Sequence, residues 1–193
     1  MAGGRGSRLG MKLEKPLLLF NGKPLVDHVI SALKGTCRVH RIFAAVTART
    51  PATARHLLER GVDVVLTPGG GFVEDLRRAL RALELGPTLV VASDLPLLRR
   101  QEVEEVLREY RRCGLPAMAT MIPLQVFTRY DLTPTMVLNE MVPAGVNIVD
   151  GRKPEGREHV YITENIRLAV NVNSPGDLRK AEEIRRILDA DKQ

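Results

Sequence analysis

The chain has 193 residues, 44% of them hydrophobic, enough for one sizeable core and short for two, so a single domain over residues 1–193 is expected. No run approaches the roughly 18 consecutive apolar residues that a membrane helix needs, and the N-terminus lacks the basic and apolar regions of a signal peptide, so a cytoplasmic protein without a membrane span is expected. A net charge of +6 suits nucleic acid, polyphosphate or an acidic surface, but the absence of Trp and an aromatic content of 4% leave few stacking platforms and weigh against nucleic acid.

The chain opens on Met1-Ala2-Gly3-Gly4-Arg5-Gly6-Ser7-Arg8-Leu9-Gly10, with Lys15-Pro16 five residues further on. Gly3, Gly4 and Gly6 let the backbone turn tightly and bring its N–H groups against phosphate oxygens, with Ala2 and Ser7 in the same loop. Arg8 and Lys15 add a planar fork and a point charge where a triphosphate would lie. The bland alternative is a glycine-rich turn with surface cations. This is no P-loop, because Gly-Lys-Ser/Thr is missing, and Gly-x-Gly-x-x-Gly with its acidic partner does not occur.

Leu25, Val29 and Leu33 predict a helix over 24–33, and a strand follows over 41–47. A helix over 53–60 leads to a strand over 62–67, which runs into a second glycine turn, Pro68-Gly69-Gly70-Gly71, ahead of a helix over 73–85. Backbone as bare as Gly70 and Gly71 can approach a flat base. The strand over 88–93 ends in Asp94-Leu95-Pro96, so a carboxylate stands at the strand's carboxyl end, where open α/β sheets bind ligands. Asp94 suits Mg²⁺ coordination through oxygen, or a simple helix cap.

A helix over 101–113 and a strand over 117–122 come next, and residues 123–143 break the regularity as an excursion over the sheet edge. Strands are expected over 146–150 and near 167–172. Asn171 and Asn173 then point the same way, as alternate residues of a strand do, before a helix over 175–188 capped by Ser174. The charges of Arg77, Arg78 and Arg81, and of Arg108, Arg111 and Arg112, sit at helical spacing with carboxylates and read as solvated helix faces. Cys37 and Cys113 lack the paired spacing of a zinc site, and the four histidines are scattered.

Alternating apolar runs and amphipathic segments predict a largely parallel sheet covered by helices. Two glycines, a third, a small hydroxyl residue, an arginine and a distant Lys-Pro at this spacing resemble the signature of the nucleotidyltransferases that include the sugar-nucleotide pyrophosphorylases and the molybdopterin guanylyltransferases. With Ser93-Asp94-Leu95, Met121-Ile122-Pro123, the run Pro143-Ala144-Gly145-Val146-Asn147 and the Asn-x-Asn segment added, nearly the whole chain is similar to the archaeal GTP:adenosylcobinamide-phosphate guanylyltransferases.

That resemblance implies a three-layer α/β/α sandwich with a mostly parallel, Rossmann-like sheet of the nucleotide-diphospho-sugar transferase type. It implies transfer of GMP from GTP to adenosylcobinamide phosphate, with Gly3, Gly4 and Gly6 holding phosphates and Arg8 and Lys15 stabilising charge. Mg²⁺ would sit at Asp94, with Asn173 favoured over Asn171 as the residue opposite, though either asparagine also suits a turn. Gly70, Gly71 and Asp75 would lie beside the purine, Asp75 either meeting the guanine N1 and N2 donors or acting as a helix-dipole carboxylate, and Gly145 would leave space above the cleft. A homodimer is left open. The family also places a buried strand immediately before the glycine loop, whereas this sequence opens at the loop, which suggests a misassigned start codon or a shortened chain. The rival readings are the same chemistry on molybdopterin or a sugar phosphate, and a nucleotide-binding domain without turnover.

Overall fold

In the computed structural model, residues 1–3, 13–153 and 155–190 are described. A 3₁₀ turn over Lys15–Leu17 leads into a short hairpin of β1 (Leu19–Phe20) and β2 (Lys23–Pro24). Its two-residue turn, Asn21-Gly22, has both residues at positive φ (49° and 71°), the conformation that asparagine and glycine adopt most readily. Then follow α1 (Leu25–Lys34), β3 (Phe43–Thr47), α2 (Pro51–Glu59), β4 (Asp63–Thr67), α3 (Phe72–Ala82), β5 (Pro87–Val91) and α4 (Arg100–Cys113). The chain continues with β6 (Ala117–Pro123), α5 (Leu124–Arg129), β7 (Met141–Asp150), β8 (Glu158–Ile162) and α6 (Pro175–Ala190).

β3 and β4 pair in parallel from Phe43 with Asp63 to Thr47 with Thr67. The other strands form a sheet in the order β5-β7-β6-β8, in which β7 runs against both neighbours while β5, β6 and β8 share one direction. The ten residues of β7 alternate, putting Val142, Ala144, Val146 and Ile148 into the main core beside Met118 and Ile122 of β6. Helices α1, α4 and α6 close that core through Leu25, Val29, Val103, Val106, Ala181 and Ile184. A smaller core joins Ala44 and Val46 of β3 to Leu57 of α2 and to Val26 and Ile30 on another side of α1.

Two expectations are corrected. Residues near 167–172 form no strand: Asn165 Oδ1 accepts the Arg167 N–H at 3.1 Å and starts a 3₁₀ turn over Ile166–Leu168. The segment's apolar side chains are fully buried, and a short buried apolar run has no period to separate strand from turn. The excursion over 123–143 contains α5 and the beginning of β7, and β8 lies in a stretch where no strand was expected.

The two sheets meet at the first residues of the chain. The Ala2 N–H donates to Ala45 O of β3 at 2.8 Å, and the Met1 amine donates to Val91 O of β5, also at 2.8 Å. Successive residues thus bond to opposite sides, as in a central strand. Beyond Met1 the edges of β3 and β5 face each other across a cavity of about 580 Å³ lined by Phe43, Leu89, Ile30, Leu33, Leu76 and Leu80. Val26, Val29 and Leu57 join that mostly apolar lining.

Burial pushes the Met1 amine down to about 6, against the attraction of Asp94. The unfolded chain therefore binds more protons than the folded one between about pH 6 and 8, and stability rises with pH across that window. Two pKa units correspond to about 3 kcal/mol. Acetylating the Met1 amine removes the titrating group and should abolish this pH dependence; urea melts at about pH 6 and pH 8 check it.

Candidate active site

The 3₁₀ turn after the glycine loop, the carboxyl end of β5 and the entry to α6 converge on one charged cluster. Lys15 Nζ donates to Asp94 Oδ2 at 2.5 Å and to Asn173 Oδ1 at 2.6 Å, with the Lys15 and Asp94 side chains only 13% and 15% exposed. Asn171 Nδ2 donates to the other carboxylate oxygen of Asp94 at 3.2 Å. Residues 15, 94, 171 and 173, distant in sequence, therefore share one hydrogen-bond network, although the two asparagines are not on a strand.

Asp94 is placed by its backbone, since Ala92 N bonds to Gly145 O of β7 at 2.8 Å and Asp94 O accepts from Val172 N at 3.0 Å. The asparagine segment is held by Asp177, whose Oδ2 accepts from Asn173 N at 2.7 Å and Ser174 N at 2.8 Å, while Ser174 Oγ caps the Asp177 N–H. Oxygens of Asp94 and Asn173 meet at the Lys15 ammonium, so the position already holds a cation among hard oxygen donors, the donor set that suits Mg²⁺. Among the described residues no three His, Cys, Asp or Glu side chains cluster, so the remaining ligands of such an ion would be phosphates and water.

Of the opening loop, Ala2 is buried on β3 and Gly3 packs against Thr47, where a Cβ on Gly3 would stand 2.7 Å from Thr47 Cγ2. Gly4, Gly6, Ser7 and Arg8 lie outside the described residues. Gly69, at φ +82°, approaches the same threonine, a Cβ there standing 3.4 Å from Cγ2. Thr47, which the sequence reading did not single out, thus joins the first glycine loop to the second glycine turn. Asp75 is buried beneath that turn, its Oδ1 accepting the Gly69 N–H at 2.9 Å, and Gly70 and Gly71 line a broad open groove with Phe72 and Arg77.

Gly145 sits at φ +71° with its missing side chain directed at Ala92 Cβ (3.2 Å), Asn171 Nδ2 (3.5 Å) and Leu95 Cδ1 (3.9 Å). It is thus part of the wall behind Asp94. Gly145→Asp strains the backbone and puts a second carboxylate beside Asp94 in a partly desolvated site. Activity should be lost. A folded variant, by thermal melt, that turns over normally would remove Gly145 from the cleft.

The family model described as the MobA-like NTP transferase domain matches residues 1–133. The chain is 32% identical to an adenosylcobinamide-phosphate guanylyltransferase of Methanocaldococcus jannaschii, over 94% of this chain and 93% of the relative. It is also 32% identical to a probable molybdenum cofactor guanylyltransferase of Thermococcus gammatolerans, over 61% of this chain and 58% of that one. The fold matches that of a CMP:2-keto-3-deoxy-manno-octonic acid synthetase at a TM-score of 0.69 and 16% identity, covering 100% of this chain and 96% of the other. The match over residues 1–133, which spans both glycine-rich segments and Asp94, puts the chain in the MobA-like NTP transferase family, as a nucleotidyltransferase.

Proposed function

We propose that this nucleotidyltransferase transfers GMP from GTP to adenosylcobinamide phosphate, giving adenosylcobinamide-GDP and pyrophosphate, as one domain working in the cytoplasm with Mg²⁺. The observation that carries this reading is the similarity to the adenosylcobinamide-phosphate guanylyltransferase over nearly the full length of both chains. The shape beside Asp94 supports it. On the face of the sheet away from the main core, Ile162, Met121 and Pro143 stand side by side across β8, β6 and β7, next to Val160, Ala119 and Asn147. Val160 and Ile162 are half exposed, as are Met136 and Leu138 in the segment leading into β7. Pro143 is two residues from Gly145, whose carbonyl bonds to Ala92, so this apolar shelf begins at the rim of the Asp94 cleft. A broad, weakly polar acceptor fits such a shelf; a hexose, which needs convergent hydrogen-bonding groups, does not.

The acceptor's phosphate oxygen attacks the α-phosphorus of GTP in line; the new P–O bond forms as the α–β bridge breaks, and pyrophosphate departs with the bonding electrons. A phosphate monoester, with a second pKa of about 6, is already ionised at neutral pH, so no side chain need remove a proton. Lys15 neutralises charge on the phosphates, joined in this reading by Arg8, while the backbone of Gly3, Gly4 and Gly6 cradles them and Ala2 and Ser7 complete the loop. Mg²⁺, when bound, spreads the developing negative charge, and Asp94 and Asn173 are the residues that would hold it. Gly70, Gly71 and Asp75 border the base.

Asp94→Asn keeps the shape and removes the charge that holds the ion. Turnover should fall at least about 100-fold while the thermal midpoint is largely kept, and retention of more than about a tenth of the rate would take Asp94 out of the metal site. The acceptor is tested by following pyrophosphate release from GTP with adenosylcobinamide phosphate, molybdopterin and hexose 1-phosphates, identifying each product by mass. Preference for either of the latter would transfer the proposal to that acceptor; silence with all of them would favour a domain that binds nucleotide without turnover.

A further inference from the structure

The helix α2 has no cap of its own. Thr50, in the capping position, turns its hydroxyl back onto β3, accepting from Thr47 N at 3.2 Å and donating to Thr47 O at 3.2 Å. The exposed amides of the first turn are taken instead by Glu14, whose Oε1 accepts from Ala52 N at 2.9 Å and whose Oε2 accepts from Thr53 N at 2.6 Å. A carboxylate at a helix N-terminus meets both the orphan N–H groups and the positive end of the helix dipole. The grip is two-toothed, so it fixes orientation as well as position.

The residue after Glu14 is Lys15. Glu14 O accepts from Leu17 N at 2.9 Å and Lys15 O from Leu18 N at 3.1 Å, and Pro16 and Leu18 are buried directly afterwards. The Lys15 backbone is therefore clamped between the α2 N-terminus on one side and the core on the other, and from there its ammonium reaches Asp94 and Asn173. The other end of the glycine loop is tied separately, through Ala2 to Ala45 and through Gly3 against Thr47.

We infer that Glu14 is a positioning residue for Lys15, holding by its cap on α2 the backbone from which the lysine acts. The role rests on the nucleotidyl-transfer reading of the Lys15 cluster. It predicts a particular split: the loop's leading end, anchored elsewhere, keeps its hold on nucleotide, while the charge supplied by Lys15 is misplaced.

Glu14→Ala should lower kcat by about tenfold or more, the scale of a misplaced catalytic contact, with KM for GTP within about threefold. Glu14→Gln, whose amide oxygen can still accept one of the two bonds, should fall between it and the parent chain and serves if the alanine variant folds poorly. In a Lys15→Ala background, Glu14→Ala should cost less than about a further twofold in kcat, because the group it positions is gone. Losses that multiply, or a rise in KM with kcat unchanged, would overturn the inference. Reductive methylation read by mass spectrometry supplies a measure independent of turnover. Lys15 should react several-fold faster in Glu14→Ala than in the parent, with the exposed Lys153 as the unchanged reference. Equal Lys15 reactivity would overturn the inference even in a protein that transfers no nucleotide, whereas faster reaction without any transfer would sink the functional reading and leave the positioning intact.

Discussion

One ammonium group organises this site. Lys15 stands between the Asp94 carboxylate and the Asn173 carbonyl, at 2.5 and 2.6 Å, and so joins the segment after the glycine loop, the end of β5 and the entry to α6. The arrangement holds a positive charge in a partly desolvated pocket of oxygens, which is what the proposed transfer would require of it. Everything that fixes those three partners serves it: the β5–β7 contact at Ala92, the Val172 amide on Asp94, the Asp177 cap on the asparagine segment and the Glu14 cap on α2.

How the fold carries this cluster follows from its alternation. The second glycine turn follows the carboxyl end of β4 and leads into α3, and Asp94 follows the carboxyl end of β5 ahead of α4. Thr47 shows how tightly the edge is assembled: a Cβ on Gly3 would clash with its Cγ2, and Gly69 approaches the same methyl from a positive-φ turn. β7, running against its neighbours, contributes Gly145 to that edge and carries the apolar shelf away from it.

Much of this is legible in the residues. The helices over 24–33 and 101–113 and the strands over 41–47 and 62–67 match the observed elements to within about two residues, a usual boundary scatter. Lys15, Asp94 and Asn173 come together in the structure, and the strand end and helix start that carry two of them are marked locally by Asp-Leu-Pro and Ser-Pro. What is not legible depends on tertiary partners. β8 has three of its five residues exposed and no strong apolar pattern, since it is an edge strand with one neighbour. The apolar residues of 166–172 are apolar because they are buried, not because the segment is extended. Glu14 caps a helix 38 residues away, and no local pattern announces such a bond.

The meeting of the two sheets at Met1 and Ala2 bears on how the molecule yields under stress. Among the described residues the link between β3 and β5 is two backbone hydrogen bonds, and α1 spans the junction by packing one set of side chains into each core. The Lys15 ammonium adds a third tie, since Glu14 beside it is bonded to the α2 amides while the charge is shared with Asp94 and Asn173 on the far side. Strain between the two sheets is therefore borne by an ion pair and a shared helix as well as by the backbone bonds, and the group that organises the site is also one of its staples.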